Sequence, residues 1–282
     1  MLDCDEAWQA LLEIGAAPEF PCGEVRVGRR DAADVTFLRL GDGGWRLEPQ
    51  ASPEIAALFA IYMPFCAVSP GRSVVVAHLG QSLDGRIATL SGASRWVTGD
   101  ADIAHNHRMR ALADGVLVGS GTLRSDDPQL TVRCCAGRNP VRVVLDTNRR
   151  LDEDYRVFRD GAAPTLLLCA ADRCVPGERL GAAEIVGLPR AGDALAPAAI
   201  IAELTRRGLR RIFVEGGGVT VSRFLEAGCL DRLQITVSPL IIGSGRPSIT
   251  LPAIDDLRFG MRPLVRRFEL GEDVMFECIF RD

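Results

Sequence analysis

The sequence predicts an α/β fold with a mostly parallel central sheet, and two observations carry this prediction. Val74–Leu79 is a valine-rich apolar run of the kind that forms strands buried on both faces. Asp100–Leu112 then shows helical spacing, and Asp100 is placed to cap that helix. Because strand and helix patterns keep alternating from there onward, we expect helices on both faces of the sheet.

The later elements follow the same alternation. Two further helices are predicted at Ala198–Arg207 and Val219–Ala227, and each is followed by a glycine of the kind that closes helices, Gly208 and Gly228. Short apolar runs predict the other strands: Gly115–Val118, Val141–Leu145, Thr165–Cys169, Arg211–Val214, Leu233–Val237 and Val274–Phe280. We expect the last strand to be antiparallel, at an edge of the sheet.

The first quarter of the chain is organised differently. We divide the chain into a small N-terminal segment of unassigned role, residues 1–70, and a larger domain, residues 71–282. Helical patterns at Trp8–Ile14 and Pro53–Tyr62 flank a middle part that is rich in glycine and arginine. Pro64, Pro70 and Gly71 lie close together at the boundary, and such residues are typical of a linker.

The charged residues exclude several classes of function. All 33 basic residues are arginines, which excludes Schiff-base lysine chemistry and a P-loop lysine. Arginine is therefore the strong cation left for binding a phosphate, a task that its planar fork suits. The net charge of −4 gives no reason to expect nucleic acid or an anionic membrane as a partner.

The cysteines and the apolar stretches indicate the compartment. The nine cysteines are odd in number and scattered, and they contain no C-x-x-C pair. This pattern argues against a disulfide framework and a zinc site, and for a reducing cytoplasm. The most apolar stretch, Leu58–Val68, is interrupted by Pro64 and is too short to span a bilayer. We therefore expect a cytoplasmic protein without a bound metal.

A glycine-rich turn is the first candidate binding feature. Glu215-Gly216-Gly217-Gly218-Val219-Thr220 lies between a predicted strand and a predicted helix. Glycines let the backbone approach a ligand, and the free N–H groups at a helix start favour a phosphate. Val221 stands where the dinucleotide fingerprint requires its third glycine. The turn alone leaves two interpretations open: a phosphate-binding turn, or a tight connection that binds nothing.

Two loops after strands are further candidates. Ser82–Arg86 contains an Asp-Gly pair, which is common in plain turns. Val118–Thr122 is a run of small residues that leaves space for a flat ligand, and a polar stretch follows it. In that stretch Asp126 and Asp127 are adjacent carboxylates suited to acid–base work, unless Asp127 only opens a turn before Pro128.

The residues after Asp146 bear on the choice of a nucleotide. Arg149 and Arg150 follow a predicted strand end, where an arginine can bind a 2′-phosphate. Asp146 favours the other possibility, because an acid at such a strand end can hold the ribose hydroxyl of NAD.

The three histidines give no metal pattern. His105 and His107 are two residues apart on a predicted helix, so they point in different directions and are expected to be structural or exposed. His78 lies inside the first strand, either as a core histidine or, if the next loop forms the active site, as a functional one.

Taken in order, these pieces resemble a known family. Gly80–Ala88 resembles the opening motif of the reductase domain of the bifunctional riboflavin biosynthesis protein, and is similar to the archaeal diaminopyrimidine phosphate reductase. The other motifs follow in the family's order: Ser94–Thr98, Val118–Thr122, Asp126–Arg133, Val143–Asp146, Val214–Gly218 and Ser238–Gly243. The resemblance covers roughly residues 73–282.

The resemblance implies a dihydrofolate-reductase-like, three-layer α-β-α fold, NADPH as cofactor and commonly a homodimer. The substrate contacts that it implies are Ser94, Arg110, Leu130, Arg133 and Glu215. The cofactor contacts that it implies are Gly80, Trp96, Thr122, Asp126, Thr147, Gly217, Gly218, Val219 and Thr220.

The chain departs from the family pattern in two ways. The bacterial bifunctional enzymes usually carry a lysine where His78 stands, which leaves the identity of the substrate open. Their zinc deaminase, whose signature is H-x-E with a later P-C-x-x-C, is absent, because residues 1–70 contain no histidine.

The implied reaction is the NADPH-dependent reduction of the ribose of a 5-amino-6-(5-phosphoribosylamino)uracil-type pyrimidine to the ribitylamino product, in riboflavin biosynthesis. Arg110 and Arg133 are expected to anchor the 5′-phosphate, and Asp126, Glu215 and His78 are the candidate catalytic groups. The alternatives are a related NADPH reductase that acts on a diamino-pyrimidine, pterin-like or secondary-metabolite substrate, and a non-catalytic nucleotide-binding module.

Overall fold

A computed structural model describes residues 3–17, 24–27, 35–39, 45–48, 51–69, 71–175 and 177–281. The chain forms two compact units, Met1–Ser73 and Val74–Asp282. Among the residues described, none of the helices combines the length and the apolar character needed to cross a bilayer.

The first unit contains two helices and a three-stranded antiparallel sheet in the order β1-β2-β3. Helix α1 begins with a capping box, in which the side chains of Asp3 and Glu6 each accept the other's backbone N–H. Trp8 of α1 meets Tyr62 of α2 edge to face, with ring centroids 5.4 Å apart. The elements are α1 (Cys4–Ala16), β1 (Glu24–Val27), β2 (Val35–Arg39), β3 (Trp45–Glu48) and α2 (Pro53–Cys66).

The second unit is built on a ten-stranded sheet in the order β16-β17-β14-β4-β13-β6-β7-β8-β10-β9. The seven strands from β14 to β10 are mutually parallel, and β17, β16 and β9 are antiparallel to their neighbours. The strands are β4 (Val74–Ser82), β5 (Arg86–Thr89), β6 (Gly115–Gly119), β7 (Val141–Leu145), β8 (Thr165–Ala170), β9 (Arg179–Leu180), β10 (Ala183–Leu188), β11 (Arg190–Ala191), β12 (Ala194–Leu195), β13 (Arg211–Glu215), β14 (Arg232–Ser238), β15 (Gly245–Pro247), β16 (Leu264–Leu270) and β17 (Asp273–Ile279).

Helices connect these strands, and two short strand pairs lie outside the main sheet. Strands β11 and β12 form one antiparallel pair, and β15 pairs with β5. The α-helices are α3 (Asp100–Leu112), α4 (Ser120–Asp126), α5 (Arg156–Arg159), α6 (Pro197–Arg206) and α7 (Gly218–Glu226), with single 3-10 turns at Ala171–Arg173 and Leu257–Phe259.

Alternation along the strands shows that both faces of the sheet are covered. On one face, Ile212 and Val214 of β13 belong to a core cluster with Ile200 of α6 and Phe224 of α7. Phe213 lies between those two strand residues and therefore points to the other face, where it is also fully buried. This second face packs beneath α3, which contacts β13. The predicted α/β fold with a mostly parallel central sheet is confirmed.

The structure corrects several details of the predicted elements. The last strand is antiparallel as predicted, but it is not at the edge, because β16 pairs along its outer side. Most of the small-residue loop predicted at Val118–Thr122 and the beginning of the polar stretch after it form the short helix α4, Ser120–Asp126. In the first unit, Pro64 lies inside the last turn of α2 rather than in a linker, and Pro70 lies outside the described residues.

The cap of α3 also differs from the prediction. Gly99 is the N-cap residue, and Asp100 is the first residue of the helix. The backbone N–H of Gly99 donates to the Asp273 carboxylate over 2.7 Å. The start of α3 is therefore held by a carboxylate from the C-terminal hairpin, a partner that local sequence cannot reveal.

A buried arginine fixes the loop that follows α4. Arg142 of β7 is fully buried, and its guanidinium donates to Asp160 over 2.7 Å and to the Thr165 hydroxyl over 2.9 Å. It also donates to the backbone carbonyls of Gln129 and Ala163. Because Gln129 precedes Leu130, this contact anchors the segment that the sequence resemblance assigns to the substrate.

We expect Arg142→Met to lower the free energy of unfolding of the second unit by about 3–5 kcal/mol, because the Asp160 carboxylate and two carbonyls lose a buried cationic donor. Arg138→Met is the control: Arg138 bonds Asp114 from an exposed position, so its loss should cost at most about 1 kcal/mol. Urea unfolding followed by far-UV circular dichroism measures both. Equal effects of the two changes would contradict the assigned role.

Candidate active site

A large cavity opens at the carboxyl ends of the parallel strands. It has a volume of about 890 Å³ and is lined by residues at the ends of β4, β6, β7 and β13, and by the beginnings of α4 and α7. In open α/β sheets, ligands bind at this edge. Most of the residues that sequence analysis assigned line it: His78, Gly80, Ser94, Thr122, Asp126, Leu130, Thr147, Glu215, Gly217, Gly218, Val219 and Thr220.

Three of the assigned residues do not line this cavity: Trp96, Arg110 and Arg133. The Trp96 side chain is 73% exposed, and its backbone has a φ of +67°, which is uncommon for a residue other than glycine. Arg110 is bonded directly to Glu215, which does line the cavity, and Arg133 is exposed.

The glycine turn closes one end of the cavity. Gly216 and Gly217 have φ values of +67° and +75°, which side-chain-bearing residues rarely adopt. Gly217 is the N-cap residue of α7, so the backbone N–H groups of Gly218 and Val219, which both line the cavity, precede the first intrahelical hydrogen bond, from Thr220 N–H to the Gly217 carbonyl oxygen. Gly218 serves packing instead, because a Cβ there would lie 2.5 Å from the carbonyl oxygen of Ser248.

Glu215, just before this turn, is held by an arginine from α3. The Arg110 Nε donates to Glu215 Oε2 over 2.7 Å, and the Arg110 NH2 group donates to Oε1. A third donor of Arg110 reaches the carbonyl oxygen of Thr131 over 2.9 Å. Burial disfavours the Arg110 charge, but the Glu215 carboxylate outweighs this and raises the pKa of Arg110 above its ordinary value. The two side chains form a charged, bidentate pair.

The same network continues to Arg133. The Arg133 NH1 group donates to the Thr131 hydroxyl over 2.7 Å, and the Arg133 backbone N–H donates to Nδ1 of His107 over 3.0 Å. Burial, with the nearby charges of Arg110 and Arg133, lowers the pKa of His107 to about 4. His107 is therefore neutral at pH 7 and accepts at Nδ1. Glu215, Arg110, Thr131 and Arg133 thus form one connected chain of hydrogen bonds.

Asp126, the last residue of α4, also lines the cavity. It is exposed there, and the Ser94 hydroxyl donates to its carboxylate over 3.2 Å. Partial desolvation raises the pKa of Asp126, while the Ser94 hydrogen bond and the charge of Arg246 oppose the rise. Asp127 instead ends α4 in the left-handed region and accepts the Arg156 backbone N–H over 2.9 Å, so it has the turn role.

Asp84 gives the Asp-Gly pair of the Ser82–Arg86 loop a structural role. Its carboxylate accepts the hydroxyl of Ser82 and the backbone N–H groups of Ile242 and Gly243. These hydrogen bonds, the one from Ser82 foremost, lower the pKa of Asp84 to about 2. The loop after β4 is thereby tied to the Ser238–Gly243 stretch.

The two adjacent arginines that follow β7, Arg149 and Arg150, have different roles. Arg149 has a φ of +53°, and its guanidinium is engaged by Glu178 over 2.5 and 2.9 Å. Arg150 is exposed and lines the cavity. The buried carboxylate of Asp146 accepts the backbone N–H groups of Arg150 and Leu151, so it holds this turn together.

Sequence reasoning missed a buried polar cluster in the cavity wall. His78 Nε2 lies 3.0 Å from Asp102 Oδ1 and 3.1 Å from the Thr236 hydroxyl oxygen. His105, expected to be structural or exposed, is buried beside His78 and bonds Gln234 over 2.9 Å. The acidic first turn of α3 was visible in the sequence, but the register that brings β14 beneath it was not.

Arg246 was missed as well. It lines the cavity from β15, and one of its guanidinium nitrogens lies 3.4 Å from the Ser125 hydroxyl. Nothing in its local sequence distinguishes it from the other arginines. Within the described ranges, no group of histidine, cysteine and acidic side chains has an arrangement that could hold a metal ion.

Two relatives are similar over most of the chain. The riboflavin biosynthesis protein RibD of Bacillus amyloliquefaciens is 34% identical over 243 residues, 83% of this chain and 63% of that protein. The 2,5-diamino-6-ribosylamino-4(3H)-pyrimidinone 5′-phosphate reductase of Methanothermobacter thermautotrophicus is 34% identical over 219 residues, 73% of this chain and 97% of that protein. The chain thus spans about three fifths of the bacterial relative and nearly all of the archaeal one.

Solved structures agree with the fold. A diaminohydroxyphosphoribosylaminopyrimidine deaminase/5-amino-6-(5-phosphoribosylamino)uracil reductase from Thermotoga maritima superposes with a TM-score of 0.64 at 28% identity, covering 80% of this chain and 61% of that chain. The riboflavin biosynthesis reductase Rib7 of Saccharomyces cerevisiae, at 19% identity and a TM-score of 0.63, shares the fold over 80% of this chain and 99% of its own.

A family profile described as the RibD C-terminal domain matches residues 73–274, nearly the whole of the second unit. The match and the relatives agree with the order of motifs along the chain, so this protein belongs to the RibD C-terminal domain family.

Proposed function

We propose that this protein reduces the ribose of a 5-phosphoribosylamino-pyrimidine to the ribitylamino product with NADPH, in riboflavin biosynthesis. The observation that carries the proposal is that one cavity joins a helix-initiating glycine turn to Glu215, which is linked through Arg110 and Thr131 to Arg133. The names of the Bacillus and Methanothermobacter relatives support the pathway and the substrate class.

The cavity residues fit a nicotinamide dinucleotide. The positive φ values of Gly216 and Gly217 and the free N–H groups at the start of α7 form a cradle for a diphosphate. When bound, NADPH supplies a hydride from C4 of its nicotinamide ring. We assign the diphosphate to the residues from Gly217 to Thr220, with the backbone N–H groups of Gly218 and Val219 as its donors. The remaining proposed cofactor contacts are Gly80, Trp96, Thr122, Asp126 and Thr147.

The substrate end is assigned to the network behind Glu215. Arg110 is committed to Glu215 by two hydrogen bonds, so we propose that it orients this carboxylate, and that Glu215 positions the open ribose or the pyrimidine. Arg133 is exposed and carries the larger part of the proposed phosphate binding, with Ser94 and Leu130 completing the substrate contacts. Binding of the phosphate, at a distance from the reacting carbon, orients that carbon for reduction.

The direct test is an absorbance assay at 340 nm with purified protein and NADPH. We expect oxidation of NADPH with 5-amino-6-(5-phosphoribosylamino)uracil or with its diamino counterpart, and none when the 5′-phosphate is removed. Turnover of a pterin-like compound alone would favour the related-reductase alternative. NADPH binding without oxidation by any of these compounds would contradict the proposal and support a nucleotide-binding module.

We propose that Arg150, rather than Arg149, binds the 2′-phosphate that distinguishes NADPH from NADH. Loss of a charge-assisted hydrogen bond should raise the KM for NADPH about tenfold or more in Arg150→Ala, with little change for NADH. Arg149→Ala is the matched control, because its guanidinium is already bonded to Glu178. Steady-state kinetics with both cofactors decides, and a larger NADPH defect in the Arg149 variant would refute the assignment.

We propose that the protein is a homodimer that uses the edge of its sheet. Strand β16 is the outermost strand on one side of the sheet, and apolar residues on it and before it are exposed, among them Leu257 (79%), Phe259 (71%) and Leu264 (64%). An exposed apolar edge of this kind is an association site. A cytoplasmic location is proposed with it, since the eight described cysteines are all free thiols.

Light scattering coupled to size exclusion should give twice the chain mass of 30.4 kDa for the wild type. Phe259→Arg combined with Leu264→Arg should give the monomer, because a charge in an apolar interface is costly. Val175→Arg, at a side chain that is 62% exposed and remote in sequence, is the control and should leave the mass unchanged. A wild-type monomer would refute this assembly.

A further inference from the structure

The buried cluster of His78, Asp102 and Thr236 has no part in the contacts assigned so far. The three residues come from β4, α3 and β14, and each is at most 3% exposed. His78 and Asp102 nevertheless line the cavity. A buried polar group that also lines a cavity is placed to act on a ligand bound in that cavity.

The hydrogen bonds define where the imidazole carries its proton. The Thr236 hydroxyl donates to Asp102 Oδ1 over 2.6 Å, so its oxygen is left to accept. His78 Nε2 faces both that oxygen and the Asp102 carboxylate, which are two acceptors. Nε2 therefore bears a hydrogen. Nδ1 makes no hydrogen bond to any residue that the structure describes, which leaves it as the nitrogen available to a ligand.

Asp102 is held as an anion in this cluster. Burial alone raises its pKa, but the charge of His78 and hydrogen bonds from His78 and Thr236 outweigh burial and bring the pKa well below the ordinary range. The Thr98 hydroxyl donates to its second oxygen over 2.8 Å. The neighbouring His105 is neutral at pH 7, since burial lowers its pKa to about 4.

Resting on the proposed function, we propose that His78 donates from Nδ1 the proton that the reduction consumes, and that Asp102 is the positioning residue that holds the imidazole by Nε2. The other acids near the cavity are less suited to this step. Glu215 already accepts two hydrogen bonds from Arg110, and Asp126 lies at the exposed rim, where its carboxylate accepts the Ser94 hydroxyl.

The step balances in atoms and charge. The open-chain form of the substrate has a C=N bond between C1′ of the sugar and the amino nitrogen of the pyrimidine. Its reduction adds one hydride to C1′ and one proton to that nitrogen, and the C=N double bond becomes a single bond. In the proposed step the N–H bond of His78 Nδ1 breaks and the new N–H bond forms on the substrate. The neutral imidazole, still bonded to Asp102, is then reprotonated by a solvent proton, so the cycle consumes one hydride and one H⁺.

The test compares kinetic and spectroscopic effects of substitutions at both residues. His78→Ala should lower kcat about 100-fold, the contribution typical of a general acid, and added imidazole should restore part of the loss. Asp102→Asn keeps the shape of the side chain but removes its charge, and should lower kcat about tenfold or more. Neither change should alter the KM for NADPH, because neither residue contacts the assigned diphosphate site.

A second readout does not depend on turnover. In the proton NMR spectrum of the ligand-free protein, we expect one ring N–H signal downfield of the amide region from His78 Nε2 on the Asp102 carboxylate. It should disappear in His78→Ala and shift upfield in Asp102→Asn. Asp231→Asn is the matched control: Asp231 is a buried carboxylate that accepts the Val75 N–H on the same strand. This control should lower stability but leave kcat and the signal unchanged.

Each outcome decides between the two proposals. A wild-type protein that does not oxidise NADPH with the pyrimidine substrates refutes the proposed function and this inference with it. An active wild type whose His78→Ala variant is as fast, or is slow but not rescued by imidazole, refutes the proton-donor role alone. An Asp102→Asn variant that loses activity no more than Asp231→Asn does refutes the positioning role.

Discussion

The ion pair between Arg110 and Glu215 is the interaction on which the site depends. Arg110 is on α3 and Glu215 is the last residue of β13, so their two hydrogen bonds join a helix to the strand end that carries the glycine turn. Both side chains are largely buried, and a buried ion pair is stable only when its geometry is good and its remaining groups are bonded. The third donor of Arg110, which reaches Thr131, meets this condition and sets the position of the segment leading to Arg133.

The register of the sheet extends this constraint beneath α3. His78 lies opposite Glu215 on one side and Gln234 on the other, and Gln234 lies opposite Glu277. Residues in register on neighbouring strands project to the same face, so these four side chains form a polar row across the sheet. Asp102, on the overlying helix, bonds into this row at His78. The buried polar row requires a matched partner for each member, and this requirement fixes α3 in one place over the strand ends.

Sequence reasoning found the parts of the fold that local chemistry determines. The valine-rich strands, the glycine-closed helices and the turn at Gly216 carry their information in consecutive residues, and the structure contains all of them. Sequence reasoning failed where an element or a helix cap depends on residues that are distant in the chain. Strand β16 has mostly exposed residues and no clear apolar alternation, so it was missed, and the cap of α3 depends on Asp273.

The same distinction holds for the site. Sequence motifs assigned twelve residues that line the cavity, but they could not show that Arg110 is bonded to Glu215, nor that Arg149 is bonded to Glu178 while Arg150 lines the cavity. Asp102 was invisible as a site residue for the same reason. Its role follows from His78 and Thr236, which are 24 and 134 residues away in the chain and adjacent only through the sheet. The order of the motifs along the chain thus identified the family. Only the folded structure shows which charged side chains of the site pair with one another.

The central claim is that a nicotinamide dinucleotide lies across these strand ends with its diphosphate on the glycine turn. A crystal structure of the protein with NADP⁺ tests it most directly. We expect diphosphate oxygens within hydrogen-bond distance of the backbone N–H groups of Gly218 and Val219, with the nicotinamide ring on the side of Glu215. A nucleotide bound elsewhere, or in this cavity with its diphosphate away from that turn, would contradict it.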